Sequence, residues 1–144
     1  MPLEITDWQH PEWVRLMLDD CDTWAVVGLS GDPSRTAYSI ASLLQERGKK
    51  VVPIHPAFAA ADAPAVLGEQ GYPTLADVPF PIDVVDVFRR SEAAGEFADQ
   101  AVAVGARAVW FQLGVIDAEA FDRTVAAGVP MVMDTCPAIE WRRG

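Results

Sequence analysis

The chain has 144 residues, a length that suits one domain with a single hydrophobic core. Hydrophobic residues make up 51% of it and charged residues 22%, a composition that excludes an intrinsically disordered tail. The net charge of −10 argues against nucleic acid as a partner, because phosphate contacts require a basic surface.

Membrane, metal and disulfide chemistry are also disfavoured. No apolar run approaches the roughly 18 residues of a membrane-spanning helix, so we expect no membrane contact. The N-terminal residues lack a basic region followed by an apolar stretch, which favours a cytoplasmic protein over a secreted one. Cys21 and Cys136 are too few for a disulfide scaffold, and with His10 and His55 they offer no metal-ligand spacing.

Apolar runs that end near glycine or proline predict five strands, and apolar residues at helical spacing predict four helices. In chain order the elements are helix 11–19, strand 24–27, helix 36–47, strand 50–54, strand 83–88, a helix that follows Ser91 and ends at Gly105, strand 108–112, helix 118–127 and strand 129–133. Residues 53–81 read as loops and short turns. Ser91 and Asp117 are the predicted N-caps of their helices.

The alternation of strands and helices predicts an α/β fold. The predicted strands are apolar on both faces, which is typical of a parallel sheet covered on each side. We therefore expect a three-layer, Rossmann-like, doubly wound, mostly parallel sheet. We expect a single domain over residues 1–144, with the N-terminal helix packed on it. Ligands of such sheets bind outside the carboxyl ends of the strands, so the loops at that edge are the candidate site.

The first strand leads into a turn that fails a known fingerprint. Residues 24–39 read WAVVGLSGDPSRTAYS, and the G-x-G-x-x-G positions of dinucleotide-binding turns hold Gly28, Ser30 and Pro33. Only the first position matches. The next strand ends at His55, without the carboxylate that binds the ribose hydroxyls of NAD. Both departures argue against NAD as the ligand.

The same turn still suits an anion. Gly28 permits a sharp bend, and the loop amides and helix start supply N–H donors and a positive dipole. Ser30 and Arg35 add a hydroxyl and a guanidinium. A site without a carboxylate suits pyrophosphate plus a further phosphate. We also expect basic residues of the neighbouring segments to gather at this edge: Lys49, Lys50, His55, Arg89 and Arg90.

These features accompany a family resemblance. The segments AVVGLSGDPSR, VVPIHP, DVVDVFRR, AVWFQLGV and MVMDTCPAIEW occur in family order between about Trp24 and Trp141. With them, the chain resembles the small stand-alone CoA-binding proteins related to the N-terminal domain of the succinyl-CoA synthetase α subunit. The resemblance implies coenzyme A as cofactor, lying across the strand ends.

The resemblance also implies roles for individual residues. Gly28, Ser30 and Arg35 would hold the pyrophosphate, and residues 53–56 would border the adenosine. Residues 87–89 would cover the nucleotide from the opposite strand, and residues 114–115 would line the path of the pantetheine. The implied cofactor-binding set is Gly28, Leu29, Ser30, Arg35, Pro53, Ile54, His55, Pro56, Val87, Phe88, Arg89, Gly114 and Val115, with no catalytic residue and no metal ligand.

Three functions remain open from the sequence. The leading hypothesis is non-catalytic binding of coenzyme A or an acyl-CoA at the carboxyl ends of the strands. One alternative is a small NAD(P)- or nucleotide-dependent enzyme. The other is a CoA-linked redox protein, in which Cys136 forms a mixed disulfide with the CoA thiol. Asp83 and Asp86 are interpreted as structural or loop-capping, because three residues along a strand separates them onto opposite faces.

Apolar surface features of the sequence also suggest a protein partner. Exposed strand edges, together with Trp8, Trp13 and Trp141, suggest an apolar patch for a homodimer or for an unknown protein partner.

Overall fold

The protein, described here from a computed structural model over residues 7–144, is built on one five-stranded parallel sheet. Its strands are β1 (Thr23–Val27), β2 (Lys50–Ile54), β3 (Val84–Val87), β4 (Ala108–Phe111) and β5 (Met131–Val132). Their spatial order is β2-β1-β3-β4-β5, and every neighbouring pair is parallel. The order reverses at β1, so the crevice between β1 and β3 is where such sheets bind ligands.

Helices cover both faces of the sheet. They are α1 (Pro11–Arg15), α2 (Thr36–Glu46), α3 (Ser91–Ala103), α4 (Ala118–Ala126) and α5 (Pro137–Arg143). One core contains apolar residues of α3 and α4, and the other contains those of α1, α2 and α5. Sheet strands contribute alternate residues to each core, which is why they read as continuously apolar. The predicted three-layer, Rossmann-like α/β fold is confirmed.

The ends of several elements differ from the sequence prediction. The first helix is α-helical over Pro11–Arg15 and continues as a π-helical turn over Leu16–Asp20. Strand β5 is shorter than predicted: it begins after Pro130, which has no N–H for the ladder. Helix α5 was missed, because seven residues are too few to display a helical period.

One predicted cap is correct and the other is wrong. Asp117 accepts a hydrogen bond from the Ala120 N–H and caps α4. Ser91 is instead the first residue of α3, and its hydroxyl donates to the carbonyl of Gly114 and accepts from the Ile116 N–H. Ser91 therefore joins α3 to the loop that follows β4.

Each outer strand has another segment of the chain hydrogen-bonded at its carboxyl end. At β2, the N–H of Tyr72 donates to the carbonyl of Pro53 at 2.9 Å, and the N–H of His55 donates to the backbone carbonyl of Tyr72 at 3.2 Å. Beside β5, the N–H of Met133 donates to the carbonyl of Trp8 at 2.9 Å. These segments occupy only the carboxyl ends of the outer strands, so the strand edges expected for a homodimer stay a prediction.

The tryptophans proposed for a dimer patch pack within the chain. Trp13 lies 6.5 Å from the ring of Phe121, and the Arg47 guanidinium lies 4.6 Å from the ring of Trp141. All of these tryptophans, Trp8 included, are half-buried. The homodimer stays a prediction that these residues do not support. No helix among residues 7–144 is both long and apolar enough to cross a bilayer.

Candidate ligand-binding site

Gly28 directly follows β1, at the carboxyl edge of the sheet beside the end of β3. Its φ is +97°, in the left-handed region that favours glycine, and its N–H donates to the carbonyl of Ile54 at 2.8 Å. A Cβ placed on Gly28 would lie 2.8 Å from the carbonyl oxygen of Phe88. The backbone of Phe88, just after β3, therefore occupies the space of a side chain, and this turn requires glycine for both conformation and room.

The N-terminus of α2 opens onto the same turn. Arg35 is the residue before the helix, and it makes no side-chain cap. In the described part of the chain, the backbone N–H groups of Thr36 and Ala37 have no hydrogen-bond acceptor. Two free donors at the positive end of an 11-residue helix favour an anion.

Arg35 is held beside a carboxylate. Its Nε lies 3.7 Å from Oδ2 of Asp32, and 76% of the Arg35 side chain is exposed. Hydrogen bonds from the hydroxyl and the backbone N–H of Ser34, followed by the charge of Arg35, lower the pKa of Asp32. Exposed ion pairs of this kind contribute little to stability, so a ligand phosphate can replace Asp32 as the partner of Arg35.

His55 supplies a donor from the end of β2. Its Nδ1 accepts a hydrogen bond from the Ala57 N–H at 3.0 Å and caps a short 3₁₀ turn over Pro56–Ala59. This bond assigns the proton of the neutral ring to Nε2. The Nε2–H group is thus free to donate to a ligand acceptor.

These groups surround one cavity of about 470 Å³. Its lining residues are Gly28, Ser30, Ser34, Arg35, Thr36, Ala37, His55, Phe88 and Arg89. None of them is acidic, although acidic residues outnumber basic ones by 21 to 11 in the sequence. The cavity therefore concentrates the hydrogen-bond donors and cations that an anionic ligand requires.

The sequence identified six of these lining residues and missed three. Ser34, Thr36 and Ala37 were missed because the G-x-G-x-x-G pattern specifies only the glycine positions of such a turn. Their signal was present in the sequence: two hydroxyl residues at the start of a predicted helix, where N–H groups lack acceptors.

Other residues of the predicted set lie at the same edge of the sheet but present no side chain to the cavity. Leu29, Ile54 and Val87 are fully buried in the two cores, so only their backbone groups face the crevice edge. Pro53 is buried in β2 and Pro56 is exposed at the start of the 3₁₀ turn.

Gly114 and Val115 lie in the loop that follows β4, beyond the cavity. The N–H of Gly114 donates to Oδ1 of Asp134 at 2.8 Å, and Val115 is buried. The Gly114 N–H therefore already has an acceptor within the chain and is not free to donate to a ligand.

Some predicted basic residues lie elsewhere. Lys50 begins β2, so it is four residues, or about 13 Å, from the carboxyl end of that strand. Its ammonium lies 4.0 Å from a carboxylate oxygen of Glu69 and 4.8 Å from the ring of Phe80. The expectation that Lys49 and Lys50 join the ligand edge is wrong. Arg90 is exposed, pairs with Glu92 and does not line the cavity.

A second cavity, of about 340 Å³, adjoins the first and shares Ser30 with it. It is lined mainly by small and apolar residues of the segment after β2, including Phe58, Ala63, Pro64 and Val66. The ring of Phe58 occupies the space that a Cβ on Gly71 would need. An apolar groove with an aromatic wall thus continues from the anion site.

Two acidic side chains of the β3 segment have different environments. Asp83 accepts hydrogen bonds from the N–H groups of Asp22 and Thr23, so its interpretation as structural is confirmed. Asp86 is fully buried within β3; Gln112 donates to its Oδ1, and its Oδ2 has no hydrogen-bond partner among residues 7–144. Burial raises the pKa of Asp86 to about 8, against the hydrogen bond from Gln112, which lowers it. The carboxyl group is therefore protonated at neutral pH.

The two cysteines are unpaired thiols. Cys21 is fully buried, and desolvation raises the pKa of its thiol. Cys136 is half-buried at the residue before α5 and packs against the core on the α2 side of the sheet. Within residues 7–144, no three His, Cys, Asp or Glu side chains gather as potential metal ligands.

Comparison with known proteins places these observations in a family. The family model described as CoA binding domain matches residues 22–142. The uncharacterised protein YneT of Bacillus subtilis is 34% identical over 112 residues, which cover 78% of this chain and 79% of YneT. A hypothetical protein from Pyrococcus horikoshii has a similar structure, with a TM-score of 0.82, 34% identity, and coverage of 92% of this chain and 89% of that one.

A larger enzyme contains a similar fold. The dinucleotide-forming acetyl-coenzyme A synthetase 1 of Candidatus Korarchaeum cryptofilum, in a complex with phosphate and ADP, matches with a TM-score of 0.67 and 26% identity. The match covers 80% of this chain and 26% of that enzyme.

Proposed function

Since this chain belongs to the CoA binding domain family, we propose that it binds coenzyme A or an acyl-CoA without transforming it. The observation that carries the proposal is the cavity at the β1–β3 crevice. It combines a glycine turn, a free helix N-terminus and the basic side chains of Arg35, His55 and Arg89, and no acidic residue lines it. Membership of the CoA binding domain family is the reason for proposing coenzyme A as the anionic ligand.

The phosphates occupy the floor of this cavity in the proposal. The pyrophosphate accepts hydrogen bonds from the N–H groups of Thr36 and Ala37, and from the hydroxyl of Ser30. Arg35 leaves Asp32 and pairs with the pyrophosphate. His55, after β2, and Arg89, after β3, remain for the 3′-phosphate, which explains why a carboxylate at the end of β2 would be unfavourable.

The two ends of the ligand leave the cavity in opposite directions. The adenosine lies over residues 53–56 and in the apolar groove beside Phe58, which shares Ser30 with the phosphate site. Phe88, half-buried at the cavity wall, covers the nucleotide from the β3 side. The pantetheine leaves toward residues 114–115 of the loop after β4.

Two observations support a binding role rather than catalysis. His55 is the one imidazole that lines the cavity; its Nδ1 accepts from the Ala57 N–H, so its free nitrogen, Nε2, carries the proton and cannot accept one from a substrate. Within the described residues, no hydrogen bond joins His55 to Ser30 or Ser34, so no activated nucleophile is assembled. The Korarchaeum synthetase, of which this chain matches about a quarter, illustrates a similar fold inside a CoA-related enzyme with much additional chain.

Calorimetric titration of ligand-free protein tests this proposal. We expect CoA to bind, dephospho-CoA to bind more weakly because it lacks the 3′-phosphate, and NAD not to bind. Incubation with CoA or acetyl-CoA should leave the ligand chemically unchanged by mass spectrometry. Binding of NAD in preference to CoA would overturn the proposal, and so would turnover of the thioester.

Replacement of Arg35 by glutamine tests the phosphate contact. We expect Arg35→Gln to weaken CoA binding about tenfold, the effect of losing one charge-assisted hydrogen bond at an exposed position. Arg90→Gln is the matched control, because it removes the same charge from a side chain that lies outside the cavity. Calorimetry should give a change below about twofold for the control. Equal losses for both variants would mean that net charge, rather than a contact, governs binding.

A further inference from the structure

The loop after β4 presents apolar side chains at the ligand edge of the sheet. Leu113 is 63% exposed and Ile116 is 36% exposed, and both are among the few large exposed hydrophobic residues of the described chain. The segment from Leu113 to Ile116 carries no charge, in a sequence whose net charge is −10. Two of the three large exposed hydrophobic side chains of the described residues thus lie in one uncharged loop at this edge.

The backbone of this loop is fixed by side chains from two other elements. The Gly114 N–H donates to Asp134, and the Gly114 carbonyl accepts from the Ser91 hydroxyl at 3.3 Å. The same hydroxyl accepts from the Ile116 N–H at 2.9 Å, and the Val115 N–H donates to Gln112 at 2.8 Å. Asp134 adopts a φ of +62°, which is uncommon for a residue other than glycine.

This engagement decides what the loop can offer a ligand. The N–H groups of Gly114, Val115 and Ile116 already have acceptors, so they are not free to bind the polar amides of a pantetheine arm. The side chains of Leu113 and Ile116 remain as groups that a ligand can contact, and hydrogen bonds fix the backbone that carries them. Their chemistry suits a hydrocarbon chain.

The loop also lies next to the cavity. Val87 and Phe111 are paired in the β3–β4 ladder, so the segments that follow them leave the sheet side by side, about 5 Å apart. The segment after Val87 contributes Phe88 and Arg89 to the cavity wall, and two residues later Ser91 holds the loop.

From these observations we infer that Leu113 and Ile116 form an acyl-binding platform, and that the preferred ligand is an acyl-CoA with a hydrophobic acyl chain of several carbons. The inference rests on the proposed CoA binding and adds the class of acyl group. A second copy of the chain is a poorer occupant, because two side chains offer far less than the roughly 800 Å² per partner of a stable interface.

The test is the dependence of affinity on acyl length. Acetyl-, butyryl- and hexanoyl-CoA are titrated calorimetrically into wild-type protein and into the double variant Leu113→Ser, Ile116→Ser. In wild type we expect hexanoyl-CoA to bind about tenfold more tightly than acetyl-CoA, the effect of burying about two of the four additional methylene groups. In the double variant, the three affinities should agree within about twofold.

The control is Val104→Ser, which removes an aliphatic side chain of similar exposure, 39%, from the far end of α3. It should keep the full dependence on acyl length. Circular dichroism and sedimentation are recorded for each variant. Equal affinity for all acyl lengths in wild type, with CoA still bound, would overturn the platform and leave the proposed function intact. Absence of binding by every CoA species would overturn the proposed function itself.

Two further results would also reject the platform. One is retention of the acyl-length dependence by the double variant. The other is a wild-type dimer that the double variant abolishes, with no dependence on acyl length, because a second copy would then cover the loop.

Discussion

Gly28→Ala is expected to destabilise the fold and to remove the ligand site in one step. The new Cβ would meet the carbonyl oxygen of Phe88 at 2.8 Å, and an alanine would have to adopt a φ of +97°. Relief of that contact requires β1 and β3 to separate at the crevice that holds the phosphates. We expect a loss of about 3 kcal/mol in the free energy of unfolding, measured by urea denaturation, and loss of CoA binding.

Gly48→Ala separates the cost of the positive φ from the cost of the contact with Phe88. Gly48 has a similar φ of +84°, but a Cβ there meets nothing within 4 Å. It therefore isolates the conformational cost, about 1 kcal/mol, and it lies at the other end of α2 from the site. CoA affinity should be unchanged. If Gly28→Ala proves no more costly than Gly48→Ala and still binds CoA, the close approach of β3 to the turn does not shape the site.

The second large expected effect is a change in the pH dependence of stability when Asp86 is replaced. Its pKa of about 8 in the folded protein lies above the ordinary value of 3.8. Between these values the unfolded chain loses the proton while the folded chain keeps it, so stability falls as pH rises from about 4 to about 8. Asp86→Asn removes this dependence. Relative to wild type, the variant should gain about 1.4 kcal/mol of unfolding free energy per pH unit, or about 3 kcal/mol between pH 5 and pH 7.

Urea denaturation of both proteins at several pH values measures this difference. Asp122→Asn, at an exposed carboxylate on α4, is the control and should follow the wild-type curve. Because the comparison uses the pH slope, it does not depend on how well the asparagine amide fits the buried space. Parallel curves for wild type and Asp86→Asn would mean that the carboxyl group titrates normally in the folded protein.

Local patterns in the sequence were enough to predict the architecture. Each buried parallel strand is apolar on both faces, and Gly48, Gly105 and Gly128 end helices with positive φ, so strands and helices could be read from neighbours in sequence. The same locality explains the prediction of Gly28, Ser30 and Arg35, which lie within one strand-turn-helix segment. Lys49 and Lys50 were misplaced although the direction of β2 already put them at the opposite edge.

Features that depend on distant residues were not predictable in this way. Asp134 and Gly114 are 20 residues apart, and Ser91 and Ile116 are 25 apart, so nothing local announces that these groups bind one another. The sequence shows an aspartate in the middle of DVVDVF, but its single partner, Gln112, follows another strand 26 residues later. The backbone hydrogen bonds at the ends of the outer strands likewise come from Trp8 and Tyr72, which lie outside the predicted strands.

The most direct test of where CoA binds is the amide ¹H–¹⁵N NMR spectrum recorded during titration with CoA. We expect the largest shifts at residues that line the cavity: Ser30, Thr36, Ala37, His55 and Arg89. Amides at the opposite edge of the sheet, such as those of Lys50 and Val104, should remain unchanged. Saturating shifts confined to residues outside the cavity, or no shifts at all, would contradict the assignment of the β1–β3 crevice as the CoA site.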